Sequence, residues 1–164
     1  MNRQPPRSSD AGISIRREAG FASQMPLDKR AMLAVLAAMR IACGVPNALE
    51  LVLTNDARIA DANKTFMGCI GPTNILSFPA LPAENRYAPT AACLLLSLDT
   101  LEREAFLYGQ DTTEHSLRLL AHGMAHIAGH DHGPRMASVE KTTLEAGLRA
   151  LATLHCKAVR KSNA

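Results

Sequence analysis

The sequence predicts a single α+β domain, a four-stranded mixed sheet packed with about five helices. Three observations predict it. At 164 residues the chain suits one hydrophobic core, because domains most often run to about 100–150 residues. Hydrophobic residues make up 47% and charged residues 20%, values close to those of folded globular proteins. Short alternating or wholly apolar runs are interleaved with longer stretches of helical period, the pattern of strands covered by helices.

Residues 1–12, rich in Pro, Ser and Arg, read as a disordered arm, residues 13–158 as the domain, and residues 159–164 as a basic tail. "GISIRR" alternates apolar and polar side chains and reads as a first strand. Pro26 to Cys43 follows as a helix, with Met32, Leu33, Val35, Leu36 and Met39 at helical spacing and Gly44 at its end. Ala48 to Thr54 alternates again, a second strand. Asn55 or Asp56 caps a helix to about Phe66, which "GCIGP" breaks. "TNILSFP" is the third strand, ended by Pro79. After a proline-rich loop, "AACLLLSL" is a buried fourth. Asp99 and Thr100 open a helix that closes at Gly109, Thr112 or Thr113 opens the next, and a last helix spans about Met136 to Ala158.

The amino terminus has no apolar signal region, and the apolar stretch from Ala31 to Cys43 is interrupted by Arg40 and too short to span a bilayer. A soluble, unexported protein with no membrane partner is the expectation. The cysteines Cys43, Cys69, Cys93 and Cys156 form no CxxC pair and read as reduced thiols. Net charge is a modest +3, with basic residues at both ends. Aromatic residues are 4% of the chain and tryptophan is absent, so any nucleic acid is expected to be held by its backbone rather than by stacked bases.

Four of the six histidines fall in "HGMAHIAGHDHG", residues 122–133. His122 and His126 stand one turn apart on one helix face, spaced to share an ion. Leu117, Leu120, Ala121, Met124, Ala125 and Ala128 form the opposite, core-facing stripe. Gly129 can take a left-handed conformation that turns the chain back, and His132 is best placed as third ligand. The spacing H-x3-H-x2-G-x2-H is also that of the metzincin peptidases, which makes this a zincin-like metal-binding helix. Their general base follows the first histidine, where Gly123 stands here, and a glycine cannot take a proton. Three imidazoles with an open position suit one zinc ion per chain, which lowers the pKa of a bound water to about 7 and so points to a hydrolase. Asp131 either orients a ligand histidine by accepting from its ring or caps the turn. His130 reads as exposed. His115 either borders the site or, the preferred reading, is an exposed surface histidine, and His155 shows no partner.

"HGMAHIAGHDH" resembles the H-G-x-L-H-L-x-G-x-D-H signature of the YbeY family of rRNA-maturation endoribonucleases, and "GPTNILSFP" resembles that family's P-T-(D/N)-V-L-S-F-P. Looser similarity runs from about Ile13 to the last helix. The resemblance implies a zinc-dependent, single-strand-specific endoribonuclease of 16S rRNA 3′-end maturation and ribosome quality control. It would work in the bacterial cytoplasm, with RNA and ribosomal particles or proteins as partners. It implies His122, His126 and His132 as the metal ligands and places Ser77 and Phe78 on the strand lining the cleft. The chain departs from the family at Met67, where members carry a phosphate-engaging arginine, at Ile70, an acidic position, and at Ala92-Cys93, a Gly-Asp pair. Arg58, Arg86 or Arg118 would have to supply the missing charge. Arg118 is the foremost of these because it lies one turn before His122. Cys93 is either a further metal ligand or a small buried hydrophobe. Two other readings stand beside the ribonuclease: a noncatalytic, zinc-containing ribosome-associated protein, and a metallohydrolase of a different substrate.

Overall fold

The structure, a computed structural model, describes residues 12–20, 22–45, 48–80 and 91–162, with side chains through Val159. Arg86, most of the arm and the last two residues lie outside the described residues. The elements run β1 (Ile13–Arg17), α1 (Lys29–Cys43), β2 (Ala48–Thr54), α2 (Asp56–Ala62), a π-helical turn (Asn63–Met67), β3 (Ile75–Phe78), β4 (Ala91–Ser97), α3 (Leu98–Tyr108), α4 (Thr112–Ile127) and α5 (Pro134–Ser162). Four strands and five helices form one α+β domain, as the sequence predicts. The sheet order is β1-β2-β4-β3. β1, β2 and β4 are parallel, and β3 closes one edge antiparallel to β4, with Ser77 opposite Leu94 and Phe78 opposite Cys93.

Alternation along the strands decides which side chains enter the core. Leu49, Leu51 and Leu53 of β2, Ala92, Leu94 and Leu96 of β4 and Ile75 of β3 all belong to one buried cluster. Met32, Val35, Leu36 and Met39 of α1 and Leu117, Leu120, Ala121 and Met124 of α4 complete it. α5 packs across both of these helices, and α4 lies on β3 and β4. Among the described residues no helix is long and apolar enough to cross a membrane.

Several boundaries differ from the sequence reading, and three helices show the local reasons. α1 starts at Lys29 rather than Pro26, because the Asp28 carboxylate caps it by accepting from the Ala31 amide at 2.9 Å. α3 follows β4 without a loop, since Ser97, the last strand residue, also caps the helix. α5 begins at Pro134, a residue preorganised for a first helical turn, and runs through Ser162, so the basic tail is helical over 159–162.

Asp56 joins the starts of α2 and α3. Its carboxylate accepts from Ser97 Oγ (2.7 Å), Thr100 Oγ1 (2.6 Å) and Arg103 Nη1 (2.8 Å). Partial burial opposes ionisation, yet the hydrogen bonds from Thr100, Ser97 and Arg103 together outweigh it and hold the carboxyl below its ordinary value. The folded pKa thus lies below the unfolded one. The stability Asp56 contributes is present above the ordinary carboxylate range and is lost as pH falls through the lowered value. Asp56→Asn is therefore expected to lose more stability at neutral pH than near about pH 3. Denaturant midpoints at both pH values test this, and an equal loss at both would reject the assignment.

Candidate metal centre

The centre is built on α4. Asp111 caps this helix by accepting from the Glu114 amide at 2.9 Å, and its apolar stripe is buried from Leu117 to Ala125, with Ala128 packed at the margin. Gly123 allows α4 to lie close on the sheet. A Cβ there would sit 2.6 Å from Leu94 Cδ2 and 3.0 Å from both Ile75 Cδ1 and Ser77 Oγ. The position that carries a base in metzincins therefore faces a wall of core side chains.

The helix ends in a Schellman motif, in which the Gly129 amide donates to His126 O (3.0 Å) and the His130 amide to Ala125 O (3.0 Å). Gly129 takes φ +84°, the left-handed conformation expected from the sequence. The turn brings His132 back over the helix end. Ring centroids lie 4.7 Å apart for His122 and His126, 4.9 Å for His126 and His132, and 5.4 Å for His122 and His132. One ligand atom from each of these three residues lies within 4.8 Å of the others.

Hydrogen bonds fix two of the three rings. His122 Nδ1 lies 2.6 Å from Glu140 Oε1 on α5, and His126 Nδ1 lies 3.1 Å from the His130 carbonyl. A carboxylate and a carbonyl can only accept, so each Nδ1 donates and each Nε2 keeps a lone pair. That is the arrangement metal-ligating histidines adopt. Burial, followed by the neighbouring His122 and His132, pushes the His126 pKa below its ordinary value and favours the neutral ring. The donor set fits a zinc ion.

Sequence reasoning leaves Asp131 either to orient a ligand histidine or to cap the turn; in the fold the acceptor behind His122 is Glu140. Asp131 is exposed in the turn and makes no hydrogen bond or ion pair with a described residue. The sequence signal for Glu140 is only that a ligand histidine needs a carboxylate or carbonyl behind it; its place on α5 becomes visible with the packing of α5 on α4. His130 is half-buried and contributes its carbonyl. His155 is exposed on α5.

His115 is a correction to the preferred sequence reading. It is 7% exposed, with Nε2 2.9 Å from Glu104 Oε2 on α3 and the Tyr108 ring edge-on at 6.1 Å. Asn74, just before β3, donates to both oxygens of the same carboxylate at 3.2 Å. His115 thus ties α4 to α3 and to the start of β3.

Arg118 is exposed and pairs with Glu114 at 2.5 Å, one turn back along the helix. Arg58 pairs with Glu18 at 3.5 Å. Cys93 lies on the sheet face opposite α4, since its neighbour Leu94 is the residue that meets Gly123. Burial, with Glu50 alongside, pushes its thiol up to about 11. Cys93 is accordingly no partner of the histidines.

Fold and site together define a class: a single α+β domain carrying three convergent imidazoles at the end of a helix laid across a mixed sheet. A model of the endoribonuclease YbeY family matches residues 22–150. The chain is 46% identical over 142 residues to the endoribonuclease YbeY of Nitratidesulfovibrio vulgaris, covering 76% of this chain and 88% of that protein. It is 38% identical over 153 residues to the endoribonuclease YbeY of Oleidesulfovibrio alaskensis, covering 81% and 90%. The solution structure of TM1509 from Thermotoga maritima shares the fold, with a TM-score of 0.57 at 17% identity over 86% of this chain and 92% of that one. The chain belongs to the YbeY endoribonuclease family.

Proposed function

We propose that this chain is a zinc-dependent, single-strand-specific endoribonuclease of the cytoplasm, acting in 16S rRNA 3′-end maturation and ribosome quality control. Its partners are ribosomal RNA and ribosomal particles or proteins. The observation that carries the reading is the convergence of His122, His126 and His132, with two rings held through Nδ1, in a chain of this family. These three residues would hold one ion. When bound, zinc supplies a Lewis acid and a water acidified toward neutral pH.

The chain's own groups do the rest. Glu140 and the His130 carbonyl hold the His122 and His126 rings in the ligating tautomer. The packing of α4 on β3 at Gly123 sets the centre beside the edge strand that carries Ser77. Arg118 remains the proposed phosphate cation, because an exposed i,i+4 pair such as that with Glu114 is worth only about 0.3–0.5 kcal/mol and yields readily to a phosphate. Asp131, exposed next to His132 in the chain, is proposed to orient a ligand histidine. Met67, whose thioether makes no phosphate contact, favours a second reading, a noncatalytic zinc-containing ribosome-associated protein.

An end-labelled single-stranded RNA and its matched duplex, incubated with protein of measured zinc content, decide between these. The expected outcome is cleavage of the single strand only, lost with chelator and restored by zinc. Zinc-loaded protein that cuts neither RNA would reject the enzyme reading in favour of the second.

A further inference from the structure

His115 is a buried imidazole that the histidine centre does not use. It lies on α4 seven residues before His122. The Glu104 carboxylate can only accept, so His115 Nε2 donates to Oε2 at 2.9 Å. Its Nδ1 is buried as well and makes no hydrogen bond with a described residue. An apolar side chain of similar size would fill the same space without the cost of an unpaired polar atom, so packing alone does not account for an imidazole here. The ring contributes one donor, aimed at Glu104.

Glu104 passes that constraint to the edge of the sheet. Asn74 Nδ2 donates to both of its oxygens at 3.2 Å. Asn74 Oδ1 accepts from the Ile75 amide at 2.7 Å, and the Asn74 carbonyl accepts from the Ser97 amide at 2.9 Å. Both polar atoms of this side chain and its carbonyl are therefore engaged, at the residue that leads into β3. β3 is a four-residue edge strand paired with β4 alone. With ladder bonds on one side only, it depends on such contacts for its place.

The same strand packs on α4 beside the histidine centre. A Cβ on Gly123, the residue after His122, would meet Ile75 Cδ1 and Ser77 Oγ at 3.0 Å each. β3 is thus fixed to α4 twice. Its body is held by packing at Gly123, and its start is held through Asn74 and Glu104 to His115. Loss of the second attachment would free the start of the strand while the first still held Ser77 against the helix.

We propose that His115 and Glu104 are positioning residues of the ribonuclease: acting through Asn74, they set β3 against α4 and so fix the spacing between that strand and the histidine centre on which alignment of the scissile phosphodiester depends. The proposal rests on the ribonuclease reading above and adds to it the residues that keep the site aligned. A misplacement of about 1 Å at a reacting centre slows the chemical step, and a loss confined to the transition state is read in kcat rather than in KM.

The test uses the full-length, zinc-loaded protein and single-stranded RNA, with kcat and KM taken per folded molecule and with zinc content and Tm measured for each variant. Asn74→Asp sets a second carboxylate against that of Glu104 and is expected to lower kcat about 10–100-fold. Adding Glu104→Gln exchanges donor and acceptor. The new carboxamide donates to the new carboxylate and accepts from His115, while the Ile75 amide keeps its acceptor. The double variant is expected to return to within about threefold of the parental kcat. His115→Leu removes the donor and the unpaired nitrogen together. It is expected to lower kcat about tenfold with KM and zinc content unchanged, and it carries the decision if Asn74→Asp does not fold. Variants that melt lower yet turn over at the parental kcat overturn the positioning role and leave a structural tie. A double variant as slow as Asn74→Asp overturns the route through Asn74. A zinc-loaded parent that cuts no RNA overturns the ribonuclease reading and the positioning role with it.

Discussion

His126→Ala is expected to release the metal and lower RNA cleavage by at least about 1,000-fold, because an ion that supplies several kcal/mol of transition-state stabilisation is lost with its ligand. The His126 ring lies 4.7 Å and 4.9 Å from the other two imidazoles and is held by the His130 carbonyl. The effect should be graded through the supporting residues. Glu140→Gln keeps the shape and an acceptor oxygen but removes the charge behind His122, and is expected to weaken metal binding about 10–100-fold, the usual range for such partners. His130→Ala should leave metal content unchanged, since the backbone rather than the imidazole is used. Metal analysis after dialysis against a graded chelator series, read beside cleavage rates, measures all three. Full zinc content in His126→Ala would show that the cluster is not the metal site. A Glu140→Gln protein with parental affinity would reduce that carboxylate to a packing role.

The convergence of the three histidines was legible because a helix and its terminal turn are local structures. Spacing of four residues sets His122 over His126, and Gly129 is recognisable as the residue that reverses the chain. The supporting atoms were not legible in the same way. Glu140 comes from α5 and Glu104 from α3, and no periodicity along α4 says which helix will lie against which face. His115 shows the limit most clearly. Seven residues before His122 it shares that residue's helix side, but burial depends on α3 being close enough for Glu104 to meet it. Cys93 is the opposite case. Strand alternation with Leu94 already places it on the far face once α4 is known to cover Leu94. The π turn left no mark in composition, because an inserted residue changes which way Phe66 and Met67 face without changing their types.

Gly123 carries the second large effect. Alanine would place its Cβ 2.6 Å from Leu94 Cδ2 and 3.0 Å from Ile75 Cδ1 and Ser77 Oγ. Leu94 is fully buried and Ile75 is 8% exposed, so neither has open space to move into. Helix propensity favours alanine over glycine by about 1 kcal/mol, while overpacking a filled core costs about 1–3 kcal/mol. The net expectation for Gly123→Ala is a destabilisation of up to about 2 kcal/mol, which at about 2–4 °C per kcal/mol lowers Tm by several degrees. Gly123→Glu, the residue a metzincin would carry, should be far worse. It adds volume at the same wall and drives a carboxylate against Leu94 and Ile75 with no cationic partner, a combination that costs about 4 kcal/mol or more. The glycine is thus a packing requirement of this sheet and helix, and a peptidase base cannot be grafted onto this frame by substitution. Thermal melts of both variants beside the parent decide it. An alanine variant that melts at or above the parent temperature would mean that α4 lifts freely from the sheet, and that its close approach to β3 and β4 is not enforced at Gly123.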